Sequence, residues 1–236
     1  MEHSSYDLPE LMRRCTIRVT QGSGHGTGFF VAPGFLLTCA HVVEAARTHA
    51  SPVEVRWEQR SWRAQIVTFL ANPYPDLALL HIEEVQDNPC VYLHRDVNVG
   101  DDLYSYGYTD DYPNGDSATF EYEGPTGTEQ PLLKLKAGQA RPGLSGAPLL
   151  NLRIGGVCGI VRTSRDRGSD LGGRAVPTAI ILSLLRACRK TPLRVLGCLL
   201  ASLSPLDGSC FCVLSMLLPF LLTGRPEPNP ASICSD

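Results

Sequence analysis

The chain has 236 residues, enough for one large domain or two small ones, and 43% of them are hydrophobic, which leaves ample material for a core. Its formal net charge is −3 and no stretch carries a run of lysine or arginine, which argues against nucleic acid and against an acidic membrane surface as partners. Nine cysteines, odd in number and without a Cys-x-x-Cys or Cys/His ligand spacing, read as reduced and mostly buried thiols, so neither a metal nor another cofactor is expected.

The first residues, MEHSSYDLPELMRRC, contain Glu2, Asp7 and Glu10 and lack the apolar run of a secretory signal, which reads as a cytoplasmic start. From about residue 15 to 176 the signals are β. CTIRVT, GTGFFVA, FLLTC, VEVRW, AQIVTFL, LALLHI, DLYSYGY, LLKLK, APLLN and GGVCGIV are short runs rich in branched and aromatic residues, separated by Gly, Pro, Asn or Asp. Many short strands at such spacing point to an all-β barrel or sandwich. Two stretches before residue 191 read as helices: AHVVEAARTH, and TAIILSLLRACRK, with Thr178 as its N-cap and basic residues in its last turn. Residues 109–131 are acidic and turn-rich and read as a long surface excursion.

The composition changes near residue 191. Residues 193–222 carry only Arg194 and Asp207 as charges, and Ser204 to Ser209 divide them into apolar pieces of roughly 11 and 13 residues, each short of the about 20 that span a bilayer. A hydrophobic appendage on the domain or an irregular tail is favoured over a membrane-associated hairpin or anchor, and the closing TGRPEPNPASICSD is proline-rich and read as disordered.

Three stretches carry chemistry. GTGFFVAPGFLLTCAHVVE puts His41 where a strand gives way to a short helix, NPYPDLALLHI puts Asp76 just before an apolar strand, and RPGLSGAPLL puts Ser145 between glycines. A serine hydroxyl is a weak nucleophile that needs a base within hydrogen-bond reach and a group to orient that base. His41 would take the Ser145 proton and return it to the leaving group, and Asp76 would fix the imidazole tautomer. The backbone N–H groups of Gly143 and Ser145 would form an oxyanion hole if the residue between them turns tightly. Cys39, beside His41, reads as a buried small hydrophobe, and the other histidines, at 3, 25, 49, 81 and 94, read as surface or structural.

These three blocks, in this order, resemble the trypsin/chymotrypsin-like serine proteases in their compact bacterial form, over about residues 13–190 and including the GGRAVPTAII ending. YPNGDSATFEYEGPTG and RPGLSGAPLLN resemble more narrowly the trypsin-like domains of bacterial conflict or defence systems. The resemblance implies two six-stranded antiparallel β-barrels with a C-terminal helix over residues 13–190, followed by the irregular hydrophobic tail, 191–236. It implies an intracellular serine endopeptidase with His41, Asp76 and Ser145 as its triad, Gly143 and Ser145 as oxyanion donors, and a protein or peptide as substrate. The alternative is a non-catalytic or autoinhibited module of the same fold that binds peptides or effector and signalling partners. The substrate-binding edge would be the end of GGVCGIVRTS, namely Val161, Arg162 and Thr163, with Gln139 near the base of the first specificity pocket. Gln139 supplies no charge there, so a preference for Lys or Arg is not implied. Leu144 stands where relatives that mature by cleavage carry an acid, so the turn before Ser145 must be ordered by apolar packing and by Pro142, and it is the expected point of conformational control.

Overall fold

A computed structural model describes residues 8–22, 24–164, 172–187, 192 and 195–197 of the chain. The elements in order are α1 (Leu8–Cys15), β1 (Thr16–Gln21), β2 (Gly24–Ala32), β3 (Phe35–Thr38), α2 (Ala40–Thr48), β4 (Val53–Trp57), β5 (Arg60–Leu70), β6 (Leu77–His81), β7 (Asp102–Gly107), β8 (Asp116–Thr126), β9 (Leu132–Lys136), β10 (Pro148–Asn151), β11 (Gly156–Ser164), β12 (Gly173–Pro177) and α3 (Thr178–Ala187). They form two closed antiparallel barrels of six strands, ordered β1-β2-β3-β6-β5-β4 and β10-β11-β12-β9-β8-β7.

Each barrel follows from alternation plus curvature. In β1, Ile17 and Val19 point inward and Arg18 and Thr20 outward, the period-2 pattern of a half-buried strand. The first core gathers Ile17, Val19, Phe30, Leu36, Val55, Leu80 and Ile82; the second gathers Leu103, Phe120, Leu135, Leu144, Leu149 and Ala175. Closing six strands needs sharp bends, supplied by register shifts at Phe30/Ala32, Ile66/Thr68, Leu149/Leu150, Val161/Thr163 and Tyr122/Gly124. Glu58 and Gln59 connect β4 to β5 in a two-residue turn, both at positive φ, as a tight hairpin matching the strand twist requires.

Two elements depart from the sequence reading. Strand β8 runs through the segment read as a surface excursion. Its turn-forming residues cluster at its two ends, while Phe120, Tyr122 and Gly124 face inward among exposed or half-buried polar neighbours. Helix α1 is a third helix, only eight residues long, whose buried contribution is Met12 and Cys15. Thr178 opens α3 but does not cap it; its hydroxyl donates to the Val157 carbonyl of β11 at 3.0 Å. Among the described residues no helix is long and apolar enough to cross a membrane, and the tail assigned to membrane contact or disorder lies almost wholly outside them.

Candidate active site

Asp76 is the hub of the site. It sits at φ +61°, a left-handed conformation that Asp tolerates better than most residues, immediately before β6, and is 1% exposed. Its backbone carbonyl accepts the Ala40 N–H at 3.1 Å and its Oδ1 accepts the His41 N–H at 2.9 Å. The carboxylate thus caps the first turn of α2, where orphan N–H groups and the helix dipole favour a negative charge; Cys39, at the N-cap position, supplies no side-chain cap. Asp76 Oδ2 meets the His41 ring nitrogen Nδ1 at 2.7 Å. A buried carboxylate is an acceptor, so Nδ1 carries the ring proton and the lone pair is left on Nε2.

Ser145 lies in the turn between β9 and β10, against the strands that lead to His41. The Thr27 N–H donates to the Ser145 carbonyl at 2.9 Å, the Thr38 hydroxyl donates to the Thr27 carbonyl at 2.7 Å, and the Gly146 N–H donates to the Val161 carbonyl at 2.8 Å. Gly146 has φ +91°, and a Cβ there would collide with the Thr27 carbonyl and the Thr38 hydroxyl, so only glycine lets the two barrels close around the serine.

The turn ahead of Ser145 is closed without a partner molecule. Leu144 N–H donates to the Arg141 carbonyl at 3.1 Å, with Pro142 at the second position and Gly143 at the third with φ +92°, the signature of a type II turn. The Pro142 carbonyl accepts the Asp110 N–H at 3.1 Å, and the Gly143 carbonyl accepts the Thr27 hydroxyl at 2.9 Å. Because a trans peptide points its C=O and N–H in opposite directions, fixing the Pro142 carbonyl on Asp110 turns the Gly143 N–H the other way. Neither that N–H nor the Ser145 N–H donates to another backbone carbonyl among the described residues. Leu144 is 1% exposed within the second core, the apolar packing expected to order the turn in place of an acid. His25, read as surface or structural, has a nearly buried side chain whose Nε2 lies 2.7 Å from where a Gly143 Cβ would be.

Arg162 does what the sequence could not foretell. Its side chain turns toward Asp76, with Nε 3.1 Å from the same Oδ2 that binds His41 and an Nη2 donating to Asn72 Oδ1 at 3.0 Å. Its backbone carbonyl accepts the Ser145 hydroxyl at 2.9 Å. The serine hydroxyl therefore rests on β11 and not on His41. Val161 is buried and its carbonyl also accepts the Cys39 thiol at 3.4 Å; Thr163 pairs across to Arg174 of β12. Gln139 is bridged to Gly172, and its Oε1 accepts Arg141 Nε at 2.9 Å.

Cys39, His41 and Asp76 bring ligand atoms within 4.8 Å of one another, the one such cluster among the described residues. Its chemistry does not suit a metal ion. Asp76 Oδ2 is already shared by His41 and a guanidinium, and burial followed by the neighbouring Asp76 charge pushes the Cys39 thiol well above its ordinary range, keeping it protonated. The same protonation makes Cys39 unsuited to a thiolate mechanism.

Comparison with known proteins agrees with this architecture. The structure resembles Rv3671c from Mycobacterium tuberculosis: a mutant in its inactive form has 18% identity and a TM-score of 0.65, covering 78% of this chain and 90% of that one. The active form of the same protease has 20% identity and a TM-score of 0.63, covering 76% and 82%. A serine endoprotease from Yersinia pestis has 21% identity and a TM-score of 0.63, covering 78% and 67%. At these identities the likeness establishes the fold alone. No curated protein matches the chain. The model of the trypsin-like peptidase domain matches residues 26–160, more than half of the sequence, and by that match the chain belongs to the trypsin-like peptidase family.

Proposed function

We propose that the chain is a serine endopeptidase in which Ser145 is the nucleophile, His41 the general base and Asp76 the group that orients it. The observation that carries this reading is the double hold of Asp76 on His41, one oxygen on the backbone N–H and the other on the ring, which leaves Nε2 as the basic nitrogen. The Ser145 hydroxyl leaves the Arg162 carbonyl by rotation about χ1, gives its proton to His41 Nε2 and attacks the carbonyl carbon of an extended peptide. The Gly143 and Ser145 N–H groups receive the oxyanion. The imidazolium then protonates the departing amine, and a water molecule activated by the same nitrogen hydrolyses the acyl-enzyme. The substrate chain lies along the outer part of β11, with Arg162 and Thr163 as its backbone partners and Gln139 near the first specificity pocket; the Val161 N–H and carbonyl are already bonded to Ala147 and Gly146, so Val161 lines this edge without pairing to substrate.

The resemblance of 112–127 and 141–151 to proteases of conflict systems supports a cytoplasmic, partner-controlled role in defence or signalling. Control can act on the serine hydroxyl, which rests on Arg162, as well as on the turn ahead of it. That resting hydroxyl also favours a second reading, a protease-fold module that binds peptides without cutting them. A fluorophosphonate probe separates the two. Labelling of the folded chain that disappears in Ser145→Ala is the expected result; a folded chain that never labels, with or without bound peptide, overturns the enzyme reading.

A further inference from the structure

A cavity of about 370 Å³ is lined by four arginines, Arg13 and Arg14 of α1, Arg18 of β1 and Arg56 of β4, with Glu58 as the one acid in its wall. This is a concentration of positive charge on a chain whose net charge is −3. Arg13 is paired with Glu10 at 2.6 Å. Arg18 reaches the Pro113 carbonyl through Nη1 at 3.4 Å, but its Nε is buried with no acceptor. That N–H lies beneath the accessible surface, so an anion in the cavity would be met by the outer donors of the Arg18 guanidinium.

The opposite wall is the segment 106–114. Tyr106 and Tyr108 pack edge to face there, ring centroids 6.1 Å apart, and the Tyr108 hydroxyl donates to the Thr16 carbonyl at 3.3 Å. Burial pushes the Tyr108 phenol up to about 12, so it remains a neutral donor. The other side of this segment holds the turn before Ser145. The Tyr108 N–H donates to the Thr27 hydroxyl at 3.0 Å, that hydroxyl donates to the Gly143 carbonyl, and the Asp110 N–H holds the Pro142 carbonyl.

We propose that this cavity binds a small phosphate-bearing anion and that its occupancy steadies the oxyanion turn through residues 106–114. Phosphate is the chemistry that suits it: guanidinium forks match phosphoryl oxygens two at a time, and with Arg13 held by Glu10 the lining still presents Arg18 and Arg56 to one anion. The volume admits a small molecule with one or two phosphoryl groups and a flat group against Tyr106 or Trp57, but not a folded partner. The coupling half of the proposal rests on the endopeptidase reading; the binding half does not.

The test is calorimetry of the full chain with pyrophosphate, inorganic phosphate and a polyglutamate peptide, alongside Arg18→Gln and Arg56→Gln. Pyrophosphate should bind with one site per chain, weakened at least about tenfold in Arg18→Gln and by less in Arg56→Gln, whose residue is exposed and whose fold is safe. Saturating pyrophosphate should raise kcat on p-nitrophenyl acetate by about three- to tenfold with KM nearly constant, a fraction of the roughly 10²- to 10³-fold that a whole oxyanion donor supplies. Absence of binding to the folded wild type, equal binding by both variants, or tighter binding of polyglutamate would overturn the phosphate site. Binding with no change in kcat would overturn the coupling. A chain that binds pyrophosphate yet never reacts with a fluorophosphonate leaves the site standing and removes the enzyme reading and the coupling with it.

Discussion

Replacing Arg162 by glutamine should make the enzyme faster. Arg162 Nε and His41 Nδ1 lie 3.1 and 2.7 Å from the same Asp76 oxygen, so they can be no more than about 6 Å apart. When His41 takes the serine proton, two cations share one carboxylate. At an effective dielectric of about 20 their repulsion over about 6 Å is roughly 3 kcal/mol, and in water it is below about 1 kcal/mol. The Arg162 side chain is 16% exposed and that of His41 32%, so an intermediate value of about 1 to 2 kcal/mol applies, a five- to thirtyfold gain in kcat/KM when the charge is removed. The assay is kcat/KM on p-nitrophenyl acetate at a fixed pH on the plateau. Because the removed cation opposed the positive charge that develops on the imidazole in the transition state, the rate should rise. Arg162→Lys should keep the wild-type rate. An unchanged or lower kcat/KM, in protein with unchanged melting, would refute the electrostatic argument and leave Arg162 as a mere prop for Asp76 and Asn72.

Asp76→Asn should fold, because Asn can still accept the His41 backbone N–H, yet lose about 10⁴ in kcat because the amide favours the wrong ring tautomer; circular dichroism with ester kinetics checks both halves. Gly143→Ala should lower kcat of the folded protein by about 10² to 10³ and lower its melting temperature as well, since the added Cβ, at φ +92°, meets the Tyr108 carbonyl and displaces the turn. Asp101 is held well below the ordinary carboxylate range first by Arg153, then by the Asn98 N–H and Asn151, so its stabilising effect is full above that range and is lost only as the pH falls through the depressed folded-state value. Asp101→Asn should therefore lower the melting temperature at pH 7, keep much of that deficit near pH 3, and converge with wild type only well below it. Val195 is fully buried, so a chain ending at 190 should melt several degrees below one ending at 202 while both react with a fluorophosphonate, as thermal scans and labelling of the two would show.

What the sequence revealed was what local patterning encodes. The apolar runs of β2, β3, β6 and β10 are almost wholly buried strands, and they were legible because nothing else explains such runs between turn residues. His41, Asp76 and Ser145 could be singled out because each stands at the edge of such a run, and the structure sets Asp76 against His41. Strand β8 was hidden because only Phe120, Tyr122 and Gly124 of its residues are buried, among polar residues and a Gly-Pro pair that otherwise signal a loop. The contact of Arg162 with Asp76 joins residues 86 positions apart, and no pattern within either segment encodes it. The arginine cavity likewise assembles α1, β1, β4 and the segment after β7, each unremarkable alone.

The claim that Ser145 is a working nucleophile is tested most directly by pre-steady-state hydrolysis of p-nitrophenyl acetate with intact-mass analysis of the quenched protein. The account predicts a burst of p-nitrophenol equal to the enzyme concentration and one acetyl group on Ser145, both absent in Ser145→Ala. A linear trace from folded protein, or an acetyl group on any other residue, would contradict it.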